Sequence, residues 1–468
     1  MKRLVIYFHY DAQGLLDGPC RFAVQALVPC ADVVLVTNGS LRQQDRDWLN
    51  GEQIRYIERE NVGLDVGAYR EALLTLRRET VSAYEELVLM NYTLAGPVSP
   101  LQKMFSAMES RTGLDFWGLT RHYAMSSRRF GGKVPEHIQS HFLAVRAGML
   151  QSDVFWNYWQ EMQLPKSYEE SIIRHETRFT AHFAARGFAW DTYVQTEDLK
   201  TVFVNPIMAC PRELIANRGC PFFKRRSFFT PYEDELRRTD GAAARQLYDY
   251  LRRATAYPVE QLVASMLRSQ PLSVVAKNLH WHYVVDAVPQ KTGNLAEQGL
   301  RLVRVEPMRA DTVTDWYLEQ SVQQAETCLA QAAELFRNDP RLGVLFPALP
   351  LWPQAVDSAA AEWRRVRSAL AGQVDVLMTD DPPPAPLAGW ALVRCEALAQ
   401  ELPVETLPHA RWLLPLLAQK NGYYSATLET AAQAAARADY WQTCVRAANE
   451  PAAVAKQLGR LVKHKLKR

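Results

Sequence analysis

The sequence predicts an α/β fold: a mostly parallel sheet covered by helices on both faces, followed by a second domain that is α/β or mainly helical. Four short apolar runs stand early in the chain, Leu4–Phe8, Val33–Val36, Ile54–Ile57 and Leu87–Met90. Each has strand length, and three are rich in Val and Ile. Helix-compatible segments, Arg21–Val28 and Ala68–Arg78, lie between runs. Continuous apolar strands alternating with helices are the pattern of a parallel sheet buried on both sides. The chain has 468 residues, too many for one hydrophobic core, so two or three domains are expected.

Composition narrows the function classes. Hydrophobic residues make up 48% and charged residues 22%, as in an ordinary globular protein. The net charge of +3 gives no field for nucleic acid, so no nucleic-acid partner is expected. The 7 cysteines are scattered and form no C-x-x-C pair, which argues against a disulfide framework or a zinc site and for a reducing, cytoplasmic setting. The first apolar run is shorter than a signal-peptide core. No stretch approaches the roughly 18 apolar residues of a membrane span.

Four regions follow. Residues 1–230 read as the α/β domain. Residues 231–300 look helical and connecting. Residues 301–445 form a second domain, richer in Ala and Trp, broken by the loop Asp380-Asp381-Pro382-Pro383-Pro384-Ala385-Pro386. In 446–468, Val454, Leu458, Leu461 and Val462 form one stripe among basic residues. That tail is either an amphipathic helix for anionic lipid or a solvated basic end.

The apolar runs end in polar groups: Tyr10-Asp11, Asn38-Gly39-Ser40, Asn61 to Tyr69, and Asn91-Tyr92-Thr93. Ligands of open α/β sheets bind outside the carboxyl ends of the strands, so these clusters should meet at one rim. Asp65 lies between Gly63 and Gly67 just ahead of a helix. It is either a ligand contact or a helix cap. The run into Asn91 and Thr93 lacks the carboxylate pair a hard cation wants.

Three later segments add candidates. Over Tyr168–Arg186 the spacing predicts a helix with Tyr168, Ile172, Glu176, Phe179 and Phe183 on one face. A carboxylate in that apolar stripe should have a raised pKa, as suits a general base or a paired structural acid. In Glu136-His137-Ile138-Gln139-Ser140-His141-Phe142, His137 and Gln139 are candidates to orient a sugar, or else core polar groups. Lys224-Arg225-Arg226, after Phe222-Phe223, are cations placed to offset a diphosphate, or a solvated loop. Walker, dinucleotide-binding and G-x-S-x-G fingerprints are absent.

Seven segments in order resemble the rhamnan synthesis protein F family. They are Arg59 to Tyr69, Leu89-Met90-Asn91 with Gly96-Pro97, Asp115 to Thr120, His137 to Phe142, Glu176 to Thr180, Asn205-Pro206 and Pro221 to Arg226. The resemblance spans residues 1 to about 285. It implies a GT-A-like, Rossmann-type nucleotide-sugar transferase in bacterial surface-polysaccharide assembly, such as O-antigen or rhamnan. It also implies site roles for Asp65, Asn91, His137 and Glu176. The family reads Asn-Asp-Ser where this chain has Asn91-Tyr92-Thr93, so the acid that would hold Mg or Mn is missing and no metal site is assigned.

On this reading Tyr10, Asp11, Asn38, Asn61, Asp65 and Tyr69 hold the nucleotide. Asn91, Thr93 and Gln139 face the sugar and diphosphate, Lys224 and Arg225 offset the leaving charge, and Glu176, with His137 beside it, is the base. The expected donor is a nucleoside-diphosphate rhamnose, dTDP ahead of GDP. The expected acceptor is a lipid-linked glycan at the cytoplasmic face of the inner membrane. The alternatives are an inactive transferase-like scaffold and a nucleotidyltransferase. The latter needs two metal-holding carboxylates that the sequence does not supply.

Overall fold

The four early apolar runs are strands in a computed structural model, which describes residues 1–130, 132–230, 242–286, 292–349, 353–398, 404–452 and 455. They are β1 (Arg3–Tyr10), β2 (Asp32–Asn38), β3 (Arg55–Arg59) and β4 (Glu86–Asn91). The chain forms two compact units, Met1–Ser265 and Met266–Arg468.

In the first unit the later strands are short: β5 (Leu94–Ala95), β6 (Phe116–Gly118), β7 (Arg121–His122), β8 (Met125–Ser127), β9 (Gly132–Val134), β10 (His137–Ile138), β11 (Phe142–Arg146), β12 (Trp190–Thr192) and β13 (Phe223–Lys224). Seven of the strands make one sheet in the order β12-β6-β11-β4-β1-β2-β3. Only β11 runs antiparallel to its neighbours within it. This is the expected α/β class, a mostly parallel sheet flanked by helices.

Alternation along β1 shows why both faces are covered. Val5 and Tyr7 enter one apolar cluster with α1 (Gly18–Leu27) and α2 (Gln43–Gly51). Leu4, Ile6 and Phe8 enter the other with α3 (Leu64–Leu76). Strand β3 is only half-buried because it lies at the sheet edge. From β1 the chain winds through β2 and β3 to one side, while β4 pairs on the other side of β1. The carboxyl ends of β1 and β4 thus flank the topological switch point, where open α/β sheets bind ligands.

One buried polar knot braces the opposite end of those strands. Arg3 Nε donates to Glu86 Oε1 at 2.6 Å, and Trp117 Nε1 donates to Glu86 Oε2 at 2.7 Å. Arg146 Nε stands 3.8 Å from the same carboxylate. Three strands therefore share one buried acid.

The helix expected over Tyr168–Arg186 needs correction. It is helical over Tyr168–Ser171, π-helical over Ile172–Glu176 and α-helical again over Thr177–Ala184. A π-turn adds a residue, so positions ahead of it rotate off the face that follows. Phe179 and Phe183 are buried as expected, but Tyr168 is exposed and Ser171 and His175 turn inward instead.

The second unit is α/β. Its five-stranded sheet combines β14 (His282–Val285), β15 (Leu300–Arg304), β16 (Leu342–Pro347), β17 (Trp390–Arg394) and β18 (Tyr424–Thr430) in the order β14-β18-β16-β17-β15. The expected connecting region 231–300 is divided: the helix Ala243–Ala254 belongs to the first unit and β14 to the second sheet. Strand β18 interrupts the helical pattern expected from Leu398 onward. Residues 231–241 and, in the expected basic tail, residues 453–454 and 456–468 lie outside the described residues. Among the described residues, no helix is long and apolar enough to cross a membrane.

Glu86→Ala would leave Arg146 without its acid and Arg3 with Glu109 alone. Breaking a buried pair this way costs about 3–5 kcal/mol, so urea unfolding should show a loss of that order. A loss under about 1 kcal/mol contradicts the brace.

Candidate active site

The site grows from the end of β4. Asn91 is the last residue of that strand and is buried. Its amide donates to Asp65 Oδ2 at 3.1 Å, while its Oδ1 accepts from the Thr93 backbone N–H at 3.2 Å and from the Thr93 hydroxyl. Asp65 is in the first turn of α3, which follows Gly63 in the left-handed region (φ 76°). Leu64 is also left-handed (φ 55°), a strained setting for a branched side chain. Asn38, the last residue of β2, donates to the Leu64 carbonyl at 3.3 Å and to Asn61 Oδ1 at 3.0 Å, and it accepts from Arg59 at 2.5 Å. Two strand ends thereby fix the start of α3.

A cation faces these groups. Strand β13 pairs with β5, and Gly96 makes the close approach possible: a Cβ there would lie 2.6 Å from the Pro221 carbonyl oxygen. This register sets Lys224 Nζ 3.1 Å from Thr93 Oγ1. Burial pushes the Lys224 ammonium down to about 8, with Arg226 acting in the same direction and the Glu176 and Asp65 carboxylates resisting. At pH 7 it is still charged.

Glu176 closes the group from the end of the π-turn. Its Oε2 accepts from the Ser140 hydroxyl at 2.6 Å, and its Oε1 lies 3.6 Å from His137 Nε2. His137 Nδ1 lies 2.7 Å from the Pro135 carbonyl and so must carry a proton to donate there; Nε2 faces the acid without a hydrogen bond, and the pair is an ion pair only when Nε2 is protonated too. The expectation of a raised Glu176 pKa is wrong. Burial acts upward, but His137, Ser140 and Lys224 together hold the carboxyl well below the usual carboxylate range. The raised carboxylate is Asp65, through burial and the Glu176 charge.

The remaining candidates divide. Gln139 is buried, accepting from Thr120 Oγ1 at 2.8 Å and donating to Asn205 at 3.2 Å, so it braces the floor. Tyr10 ends β1, and Asp11 just beyond it accepts from the backbone N–H groups of Gln13 and Leu15. Asn61 is exposed beside Asn38. Tyr69 is 2% exposed and packs edge-on to Phe8 and Trp159, so it belongs to the core rather than to a ligand surface.

Arg225 is also spent elsewhere. Its guanidinium binds Asp17 at 2.5 Å and Ser265 Oγ at 2.5 Å, leaving Lys224 as the cation turned toward Asn91 and Thr93. Tyr92, where the resemblance implied an acid, packs against Phe8 and His9. Burial pushes its hydroxyl up to about 12.

Sequence reasoning missed Ser140, which lies in a quoted segment but gained its role only through folding. It also missed the stack of His122 on His137, with ring centres 4.9 Å apart. His122 is brought to about 4 by burial and then by His137. Among the described residues, no three His, Cys, Asp or Glu side chains gather as a metal cage.

The family described as rhamnan synthesis protein F matches residues 33–299, more than half of the chain. An uncharacterized protein, y4gN, of Sinorhizobium fredii is 26% identical over 205 residues, 43% of this chain and 51% of that protein. The chain therefore spans about half the length of that curated relative. Glucosyl-3-phosphoglycerate synthase of Mycobacterium tuberculosis, solved with Mn2+, UDP-glucose and phosphoglyceric acid, is similar at 11% identity over 47% of this chain and 80% of that one, with a TM-score of 0.26. Mouse xyloside xylosyltransferase 1 is similar at 10% identity over 44% of this chain and 92% of that one, with a TM-score of 0.26.

Ser140→Ala removes a donor from Glu176 and is expected to raise that carboxyl's titration midpoint in a site-resolved NMR titration. A midpoint that stays where it was contradicts the assigned hydrogen bond.

Proposed function

The chain belongs to the rhamnan synthesis protein F family, and from that premise we propose that it is an inverting glycosyltransferase. It moves rhamnose from a nucleoside diphosphate, dTDP ahead of GDP, to a growing lipid-linked surface polysaccharide at the cytoplasmic face of the inner membrane. The observation that carries this reading is the set Asp65, Asn91, Thr93, Lys224 and Glu176. These residues come from separate elements and interact beside the switch point of the sheet.

The chemistry follows from the charges. The donor diphosphate approaches Lys224, whose ammonium offsets the charge that grows as the bond from the anomeric carbon to the phosphate oxygen breaks. Glu176 is ionised at neutral pH and takes the proton of the acceptor hydroxyl as its oxygen attacks the opposite face of the sugar. A single displacement of this kind inverts the anomeric centre. The diphosphate also cancels part of the Lys224 field, which raises the proton affinity of Glu176 at the moment it must act as a base. Asp65 and Asn91 orient the nucleotide or sugar hydroxyls.

The donor set does not suit a divalent cation. Asn91, Tyr92 and Thr93 stand where a carboxylate pair would be needed, and an ammonium already faces the two nearby acids. No step is routed through a metal. The family's Mg or Mn has no holder here, and transfer is expected to persist in a chelator. Tyr92 also supports the second reading, an inactive scaffold that binds the same ligands. Transfer by the purified protein separates the two.

Two outcomes test the assignment. Glu176→Gln should keep donor affinity within about threefold yet lower transfer by about 10²–10⁴-fold, read as kcat against donor Kd. Equal turnover removes the base. The second outcome is a pH profile. The free ammonium titrates near 8 and the bound diphosphate favours the charged form. Donor affinity should therefore hold below pH 8 and fall up to about tenfold per pH unit above it, while Lys224→Arg stays flat. A flat wild-type profile by calorimetry contradicts the role of Lys224.

A further inference from the structure

In the second unit a cleft of about 400 Å³ lies between the helix Thr312–Thr327 and the helix Ala431–Asn449, beside the end of β18. Its chemistry is unusual for a surface of this chain. Trp316, Tyr317 and Tyr440 line it while 54, 43 and 40% exposed, a concentration of uncovered aromatic area. Among the lining residues, amide side chains lie between the rings: Gln320 and Gln324 on one helix and Gln433 on the other. Gln324 Oε1 is buried and has no hydrogen-bond partner, so this amide gains a donor only by turning out into the cleft.

The floor carries charge, but that charge is already matched. Glu429 Oε2 accepts from Arg437 Nε at 2.8 Å, and Glu429 Oε1 lies 2.6 Å from His282 Nε2. The other Arg437 nitrogens donate to the Leu349 carbonyl at 3.3 Å. A phosphate or carboxylate ligand would find no uncommitted cation among the lining residues. A lipid tail would leave the amides unsatisfied. A ligand that suits both features is neutral, with C–H faces for the rings and hydroxyls for the amides.

We propose that this cleft is a glycan-binding site, holding two or three units of a neutral oligosaccharide with a sugar face on Trp316 and hydroxyls on the amide side chains of the wall. The binding chemistry stands without the transferase reading. Only the choice of rhamnose as the sugar rests on it, and there the cleft would retain the growing polysaccharide between additions.

The test uses the full chain, titrated with a rhamnose hexasaccharide and with maltohexaose by calorimetry and tryptophan fluorescence. Trp316→Ala and Tyr440→Ala replace exposed residues, so both variants should keep the wild-type thermal midpoint. At least one hexasaccharide should bind, and each variant should weaken it by tenfold or more. Gln324→Ala should weaken it less, and none of the three should change nucleotide-sugar affinity. Absence of binding by both hexasaccharides overturns the site, as does binding that survives both aromatic variants. Hexasaccharide binding without donor binding leaves the cleft standing and removes the transferase. Donor binding with no hexasaccharide binding does the reverse.

Discussion

A single half-buried ammonium group, Lys224, constrains the first unit's polar centre. Lys224 Nζ needs negative and oxygen-bearing neighbours to remain charged after losing most of its water. Asp65, Glu176 and the Thr93 hydroxyl supply them. Glu176 raises Asp65, while Asn91 and the Val66 N–H lower Asp65, His137 and Ser140 lower Glu176, and Lys224 lowers both by less.

The fold brings these groups together through strand order. Strand β4 lies between β1 and β11, so its last residue is buried among neighbours and Asn91 is aimed rather than solvated. The Asn38 side chain locks the left-handed turn that starts α3, placing Asp65 within reach of Asn91. The π-turn gives Glu176 a direction that a regular helix would not, and insertions of this kind recur at functional sites. Away from this centre, Arg225 binds Asp17 and Ser265 and so ties residues far apart in sequence. Neighbouring cations in one short segment thus serve different ends.

Much of the sheet was legible in the sequence because each inner strand is apolar on both faces. The runs at Leu4, Val33 and Leu87 declare themselves without long-range information. Strand β18 was not legible: Tyr424 to Thr430 mixes polar and apolar residues next to helical sequence, and only pairing with β14 and β16 defines it. At the site, the segments carrying Asp65, Asn91 and Glu176 were visible, but the electrostatics were not. An apolar stripe in the sequence implied a raised Glu176. The effect that prevails comes from His137, Ser140 and Lys224, which approach from remote segments. Tyr69 looked like a ligand group because it follows the glycine turn, yet helical geometry turns it into the core.

The most direct measurement is a crystal structure with a non-transferable analogue of dTDP-rhamnose. The account predicts a phosphate oxygen about 2.8 Å from Lys224 Nζ, with the anomeric carbon on the side facing Glu176 and the base or sugar in contact with Asp65. An analogue bound elsewhere on the chain, leaving Lys224 in its ligand-free contacts with Thr93, would contradict it.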